Sequence, residues 1–204
     1  MKLYTTTMAP NPRRVRIFMA EKEIELPMQE INLMEGEHKQ EDYKKISPSS
    51  KVPALELDDG SIITESIAIC RYLESLNPEP PLFGSSDVEK AMVEMENRRI
   101  EMELMMPIAF AFRHTHPAAA VLEVPQIEEF GKVQKENAIK RLQLLDADLE
   151  DKKFIAGDNY SVADITALCA IDFGSLSQIE VPSSLSNLNK WYENIRSRPS
   201  SVQQ

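Results

Sequence analysis

The chain has 204 residues, 42% hydrophobic and 27% charged, which suits one or two domains with a proper core and argues against intrinsic disorder. Its 33 acidic and 23 basic residues leave a net charge of −10, which excludes nucleic acid and anionic membrane as main partners, since both require clustered positive charge. No apolar run approaches the ~18 residues of a membrane span, and the first residues lack a signal peptide's charged and apolar regions, so neither membrane nor export is expected.

Met1 to Thr5 reads as a short strand, and Thr6 to Pro12 as a loop broken by prolines and Asn11. Pro12 then opens a helix whose apolar face is Val15, Ile17, Phe18 and Ala20, running to about Ile24. Leu26 to Leu33 alternates weakly as a second strand, giving strand, helix and strand at the length of a right-handed βαβ unit. Met34 to Ser50 is a charged surface segment with a short helix.

Ser50 to Ser66 is the most specific stretch. Leu55 and Leu57 alternate with polar neighbours, Asp59-Gly60 is a hairpin signal, and Ile62-Ile63 begins the return strand. Pro53 cannot donate to a sheet ladder, so it belongs at a strand's first residue or in a special turn; a cis bond there would leave the backbone of Val52 facing outward as a docking edge for a peptide-like ligand. Thr64-Glu65-Ser66 opens an apolar helical pattern through Ile67, Ile69, Cys70, Leu73 and Leu76, and the free N–H groups of a helix start favour a carboxylate. A plain helix cap would explain the same three residues, and a solvated side chain would explain Lys51.

Three prolines and a glycine between Leu76 and Ser86 mark a linker, and everything beyond it reads as helical. Asp87 to about Phe112 carries a stripe of Met92, Met95, Met102, Met105 and Met106 on a long helix that Pro107 should kink. His114 to Pro125 is a loop. Gln126 to Glu150 is a second long helix with Ile127, Phe130, Val133, Ala138, Ile139, Leu142, Leu145 and Leu149 directed inward. Ser161 and Asp164 are spaced to cap an apolar helix to about Phe173, and a last helix starts near Leu185. Cys70 and Cys169 stand apart without metal-ligand or redox spacing, as free buried thiols of a reducing compartment; His114 and His116 are two apart beside Pro117, so no metal is expected.

Together these residues resemble the cytosolic glutathione S-transferases along nearly the whole chain, closest to bacterial members and to the theta, zeta and beta-like classes. The Val52-Pro53-Ala54-Leu55 turn, Glu65-Ser66 twelve residues beyond Pro53, the Arg13-Arg14-Val15-Arg16-Ile17-Phe18 run, Gly36-Glu37-His38 and the capped helix at Ser161 to Asp164 carry the resemblance by their order and spacing. It implies an α/β half of thioredoxin-like fold, βαβ then ββα, over residues 1–78, a linker at 79–85, and an all-α half over 86–204. It also implies a cytoplasmic homodimer, glutathione as cosubstrate, and a pocket for a small hydrophobic electrophile. Carried over, Val52 would bond the cysteinyl backbone of glutathione, Glu65 and Ser66 would hold its γ-glutamyl end, and His38 and Lys51 would face its glycine carboxylate. Met105, Phe110, Arg113 and His114 would be the candidates for the electrophile pocket, although a methionine stripe at helical spacing is more often core.

The position that acts on the thiol departs from the family pattern. A glutathione thiol is mostly protonated at neutral pH, so a donor or a positive helix end must stabilise the thiolate. Aligned on Val15-Arg16-Ile17, the serine of the theta and zeta classes falls on Ala9, and the cysteine of beta-class enzymes on Asn11. The resemblance thus leaves Asn11 as the catalytic candidate, donating from its side-chain amide with help from the helix dipole and Arg13. Thr5, Thr6 and Thr7 are weaker candidates, and a simple capping role would also explain Asn11. Glutathione-dependent peroxide or disulfide reduction, or a non-catalytic glutathione-binding role, are the alternatives.

Overall fold

The apolar N-terminal stretch forms β1 (Lys2–Thr5), and the computed structural model, which describes residues 1–203, places it inside a four-stranded sheet of order β2-β1-β3-β4. The chain leaves β1 for helix α1 (Pro10–Glu21) and returns as β2 (Met28–Glu30), parallel to β1 with Leu3 opposite Met28. After a short helix α2 (Glu41–Ile46) come β3 (Ala54–Glu56) and β4 (Ile62–Thr64), antiparallel to their neighbours, and then α3 (Ser66–Leu76). Leu3 and Leu55 are paired in register and fully buried, as are Val15, Ile17, Phe18, Ile69 and Leu73. Side chains alternate along a strand, so Tyr4 and Ala54 serve the other face, in a cluster with Ile31 and Tyr43. Both faces of the sheet are covered.

The helix starts two residues earlier than the sequence suggests. Pro10 and Pro12 both lie in the first turn of α1, where an N–H has no partner inside the helix and a missing one costs nothing. The prolines that read as loop punctuation are thus helix residues, and Asn11 lies within the helix. The Asp59-Gly60 hairpin forms as expected: Gly60 at φ 83 donates to the Leu57 carbonyl at 3.0 Å, and the Ser61 N–H bonds the Asp59 carboxylate at 2.8 Å.

Contacts divide the chain into two compact units, one of Met1–Pro81 with the described residues from Pro199 onward, the other of Leu82–Arg198. In the first, the buried Lys22 side chain ends α1 by pairing with Glu74 at 2.6 Å and donating to the carbonyls of Asn77 and Pro80. The 3-10 turn Pro199–Val202 also belongs to it: Arg13 donates to the carbonyls of Ser201 at 2.9 Å and Gln203 at 2.8 Å, and the Ser200 hydroxyl bonds the Glu21 carboxylate.

The second unit is helical. Helix α4 (Asp87–Ile100) is opened by a Ser86/Glu89 capping box, and a wider π-helical turn (Glu101–Met105) joins it to α5 (Met106–Thr115). The expected break near Pro107 is this turn, which ends just before the proline, so Pro107 sits in the first turn of α5 where its lack of an N–H is tolerated. The methionine stripe is mostly not core. Met92, Met102 and Met106 are exposed, while Ile100, Leu104, Ile108 and Ala111 fill the interior. Helix α6 (Glu128–Asp148) buries Ala138, Leu142 and Leu145, but Ile127, Phe130 and Val133, expected inward, are exposed. Gly131 explains part of the local packing: a Cβ there would lie 2.5 Å from Thr115 Cγ2, so only a glycine lets α6 approach α5 so closely. Helix α7 (Val162–Gly174) is almost wholly buried, and α8 (Ser186–Arg196) packs Leu188, Trp191 and Ile195 inward. Among the described residues no helix is long and apolar enough to cross a membrane.

Candidate functional site

The site is assembled where β4 passes into α3. Glu65 joins them at φ 68 and ψ 116, a conformation that costs a residue with a Cβ roughly 1–3 kcal/mol and that clusters at functional sites. Its side chain is exposed, whereas Ser66, the first residue of α3, is buried. Ser66 Oγ accepts a hydrogen bond from Arg14 Nη2 at 2.7 Å, and the same nitrogen donates to Asn11 Oδ1 at 2.9 Å. Arg14 is buried within α1, so its guanidinium joins the start of one helix to the start of the other.

That arrangement fixes the Asn11 amide. A guanidinium only donates, so the carbonyl oxygen of Asn11 must face Arg14 and the amino group must turn away. Asn11 as a whole is exposed. It does not cap the helix: Ala9 occupies the capping position, without a side-chain capping bond. The threonines of the first loop are largely engaged elsewhere. Thr5 accepts from Arg16, and the Thr6 hydroxyl donates to Glu30 at 2.9 Å, leaving Thr7 as the exposed one. Arg13, expected to add positive potential beside the thiol, instead holds the carbonyls of Ser201 and Gln203.

Val52 is half-buried, its bond to Pro53 is cis, and its backbone has no hydrogen-bond partner among the described residues. It lies between the exposed Lys51, whose carbonyl accepts from Tyr43 at 2.8 Å, and strand β3. His38 is buried in a 3-10 turn, with Nδ1 lacking a partner. Burial, then the charge of Lys39, lowers its pKa from the ordinary histidine value, so near neutral pH it offers a neutral imidazole in place of the cation expected opposite a carboxylate.

The four residues assigned to an electrophile pocket lie in the helical unit. Met105 is buried at the end of the π-helical turn, and His114 is buried with its Nδ1 accepting the Ile127 N–H at 3.0 Å. Phe110 and His114 both make ring contacts with Phe130, at 5.6 and 5.0 Å, while Arg113 is exposed and paired with Glu123. Phe110, His114 and Phe130 thus form one aromatic group, which Arg113 does not join. Among the described residues no group of three or more His, Cys, Asp or Glu side chains is arranged to hold a metal ion.

Sequence reasoning named every member of the first cluster except Arg14. Its only local signal is the basic Arg13-Arg14-Val15-Arg16 run, and nothing in that run tells which arginine turns toward residue 66.

Two family models match the chain: the N-terminal domain of glutathione S-transferases over residues 9–76, and the C-terminal domain over 102–199. Glutathione S-transferase 2 of Saccharomyces cerevisiae is 37% identical over 203 residues, covering 98% of this chain and 87% of its own. The crystal structure of Gtt2 from the same yeast superposes with a TM-score of 0.93 at 36% identity, covering 98% of each chain. A glutathione S-transferase domain-containing protein of Marinobacter aquaeolei reaches a TM-score of 0.95 at 37% identity, with 99% of this chain and 100% of that one covered. A class Gtt2 enzyme of Vibrio parahaemolyticus gives 0.87 at 36% identity, covering 99% and 96%. The thioredoxin-like sheet, the helical second unit and these full-length similarities agree, and refine the class expected from sequence: the chain belongs to the glutathione S-transferase family, as an enzyme of its Gtt2-like class.

Proposed function

We propose that this transferase activates the thiol of glutathione for attack on a small hydrophobic electrophile, with Asn11 as the group that stabilises the thiolate. The observation that carries this reading is the Arg14 bridge, which occupies the Asn11 carbonyl and leaves its amino group free to donate. In this reading Val52 bonds the cysteinyl backbone, Ser66 and the first N–H groups of α3 take the γ-glutamyl carboxylate, and Glu65 faces the ammonium. Lys51 supplies the cation for the glycine carboxylate, and His38 a neutral imidazole beside it. Cys70 and Cys169 are both buried, which favours activation of the glutathione sulfur itself over exchange through a protein thiol. The aromatic group of Phe110 and His114, together with Met105 and Arg113, is assigned to the electrophile.

Asn11→Ala tests the assignment. It is expected to lower kcat/KM for an aryl halide by roughly 10–100-fold, the worth of one hydrogen bond to a charged group, and to shift the acid limb of the pH profile upward. An unchanged thiol pKa in the glutathione complex would remove Asn11 from the mechanism. The same reading includes a homodimer in the cytoplasm, and a sedimentation-velocity run giving only monomer would count against the dimer.

A further inference from the structure

We propose that Arg14 is a positioning residue that sets the polarity of the glutathione site, turning two groups that could accept or donate into donors aimed at an anionic ligand. The inference rests on the reading above, in which Asn11 faces the sulfur and Ser66 the γ-glutamyl carboxylate.

An asparagine amide and a serine hydroxyl are ambivalent. Each can present either an acceptor or a proton, and left alone each would sample both. Arg14 is donor-only and permanently charged, and its Nη2 carries two hydrogens, one directed at Asn11 Oδ1 and one at Ser66 Oγ. With the oxygen of each group held toward Arg14, what each turns toward a ligand is a proton: that of the Asn11 amino group and that of the Ser66 hydroxyl. Both match an anion, a thiolate at one position and a carboxylate at the other. Hydrogen bonds in such a chain also polarise one another, so the bound cation strengthens donation at both ends without touching the ligand. Arg14 is buried, which limits screening by water, and it reaches from its own helix to Ser66, 52 positions away on another. Occupancy at the carboxylate end and orientation at the sulfur end are thereby coupled through one nitrogen.

The test compares Arg14→Met, Arg14→Gln and Arg14→Lys with Asn11→Ala, reading KM for glutathione, kcat, and the pKa of the bound thiol from its ultraviolet thiolate band. Arg14→Met is expected to raise KM about tenfold and the bound-thiol pKa by about one unit, because donation weakens at both ends. Arg14→Gln, similar in size but ambivalent, should do the same, whereas Arg14→Lys, still donor-only, should restore most of the thiol pKa. The double variant Arg14→Met/Asn11→Ala should show the same thiol pKa as Arg14→Met alone, since the two residues act as one unit. If Arg14→Met does not fold, Arg14→Gln decides: wild-type KM and thiol pKa in that variant would overturn the proposal, as would a fall in melting temperature with both parameters unmoved. The two readings fail differently. An Asn11→Ala enzyme with an unshifted thiol pKa defeats the role of Asn11, whereas an Asn11 effect that persists undiminished in the Arg14 variants defeats the role of Arg14 alone.

Discussion

At the scale of single residues, Asp164 shows how far a capping carboxylate can be drawn into a core. Ser161 and Asp164 form the expected capping box, and Asp164 Oδ2 accepts from the Ser161 N–H at 3.0 Å and the Ser161 hydroxyl at 3.1 Å. Oδ1 reaches further, to the Ile155 N–H at 3.0 Å and the Trp191 indole at 2.8 Å, two partners that the local sequence does not announce. Complete burial pushes its pKa up to about 6 although these four donors pull it down. The unfolded value is ~3.9, so the folded state keeps its proton longer: this contribution to stability is fully present below ~3.9 and is lost as pH rises through the folded value. The difference is worth about 3 kcal/mol. Asp164→Asn cannot ionise, so the stability gap between wild type and variant should narrow between pH ~4 and ~7 in guanidinium titrations. A gap that stays constant or widens would show that the four donors outweigh burial. The box was legible because its residues are three apart; its two distant bonds were not, because they depend on which loop and which helix end beside it.

Elements were legible where local pattern and tertiary packing agree. The strand, Asp-Gly turn, strand and helix start of residues 54–76 follow from alternation and turn chemistry, and they form as the sequence implies. The start of α1 was misjudged because prolines were weighed as breakers, although the first turn of a helix has no use for their missing N–H groups. The first turns of α6 were misjudged for another reason. Periodicity identifies an apolar face but not the length of the partner lying on it, and the buried positions of α6 begin at Gly131, beyond Ile127 and Phe130. The methionines of α4 and its π-helical turn show the same limit: the stripe has helical spacing, but the neighbouring stripe of Val93, Ile100 and Leu104 is the one that packs. Val52, Glu65 and Ser66 stood out because their signals are backbone signals. Arg14 did not, since a side chain that reaches between helices leaves no trace in spacing.

At the scale of the whole molecule, the first unit is not one continuous piece of chain. The described residues from Pro199 onward return to α1, where Arg13 and Glu21 hold them through charge-assisted bonds. Ending the chain at Arg198 should therefore destabilise the first unit by ~2–5 kcal/mol, since two hydrogen bonds to a guanidinium and one to a carboxylate are lost. Urea unfolding followed by hydrogen exchange at the amides of α1 would measure this, and unchanged protection there would show the turn to be dispensable. The arrangement also bears on synthesis. Domains generally fold in the order in which they leave the ribosome, yet the segment that completes this first unit is translated only after the whole helical unit. While the helical unit is being made, the carbonyls of Ser201 and Gln203 and the hydroxyl of Ser200 have yet to reach Arg13 and Glu21. A translation product stalled before Pro199 would therefore carry a first unit without its closing turn.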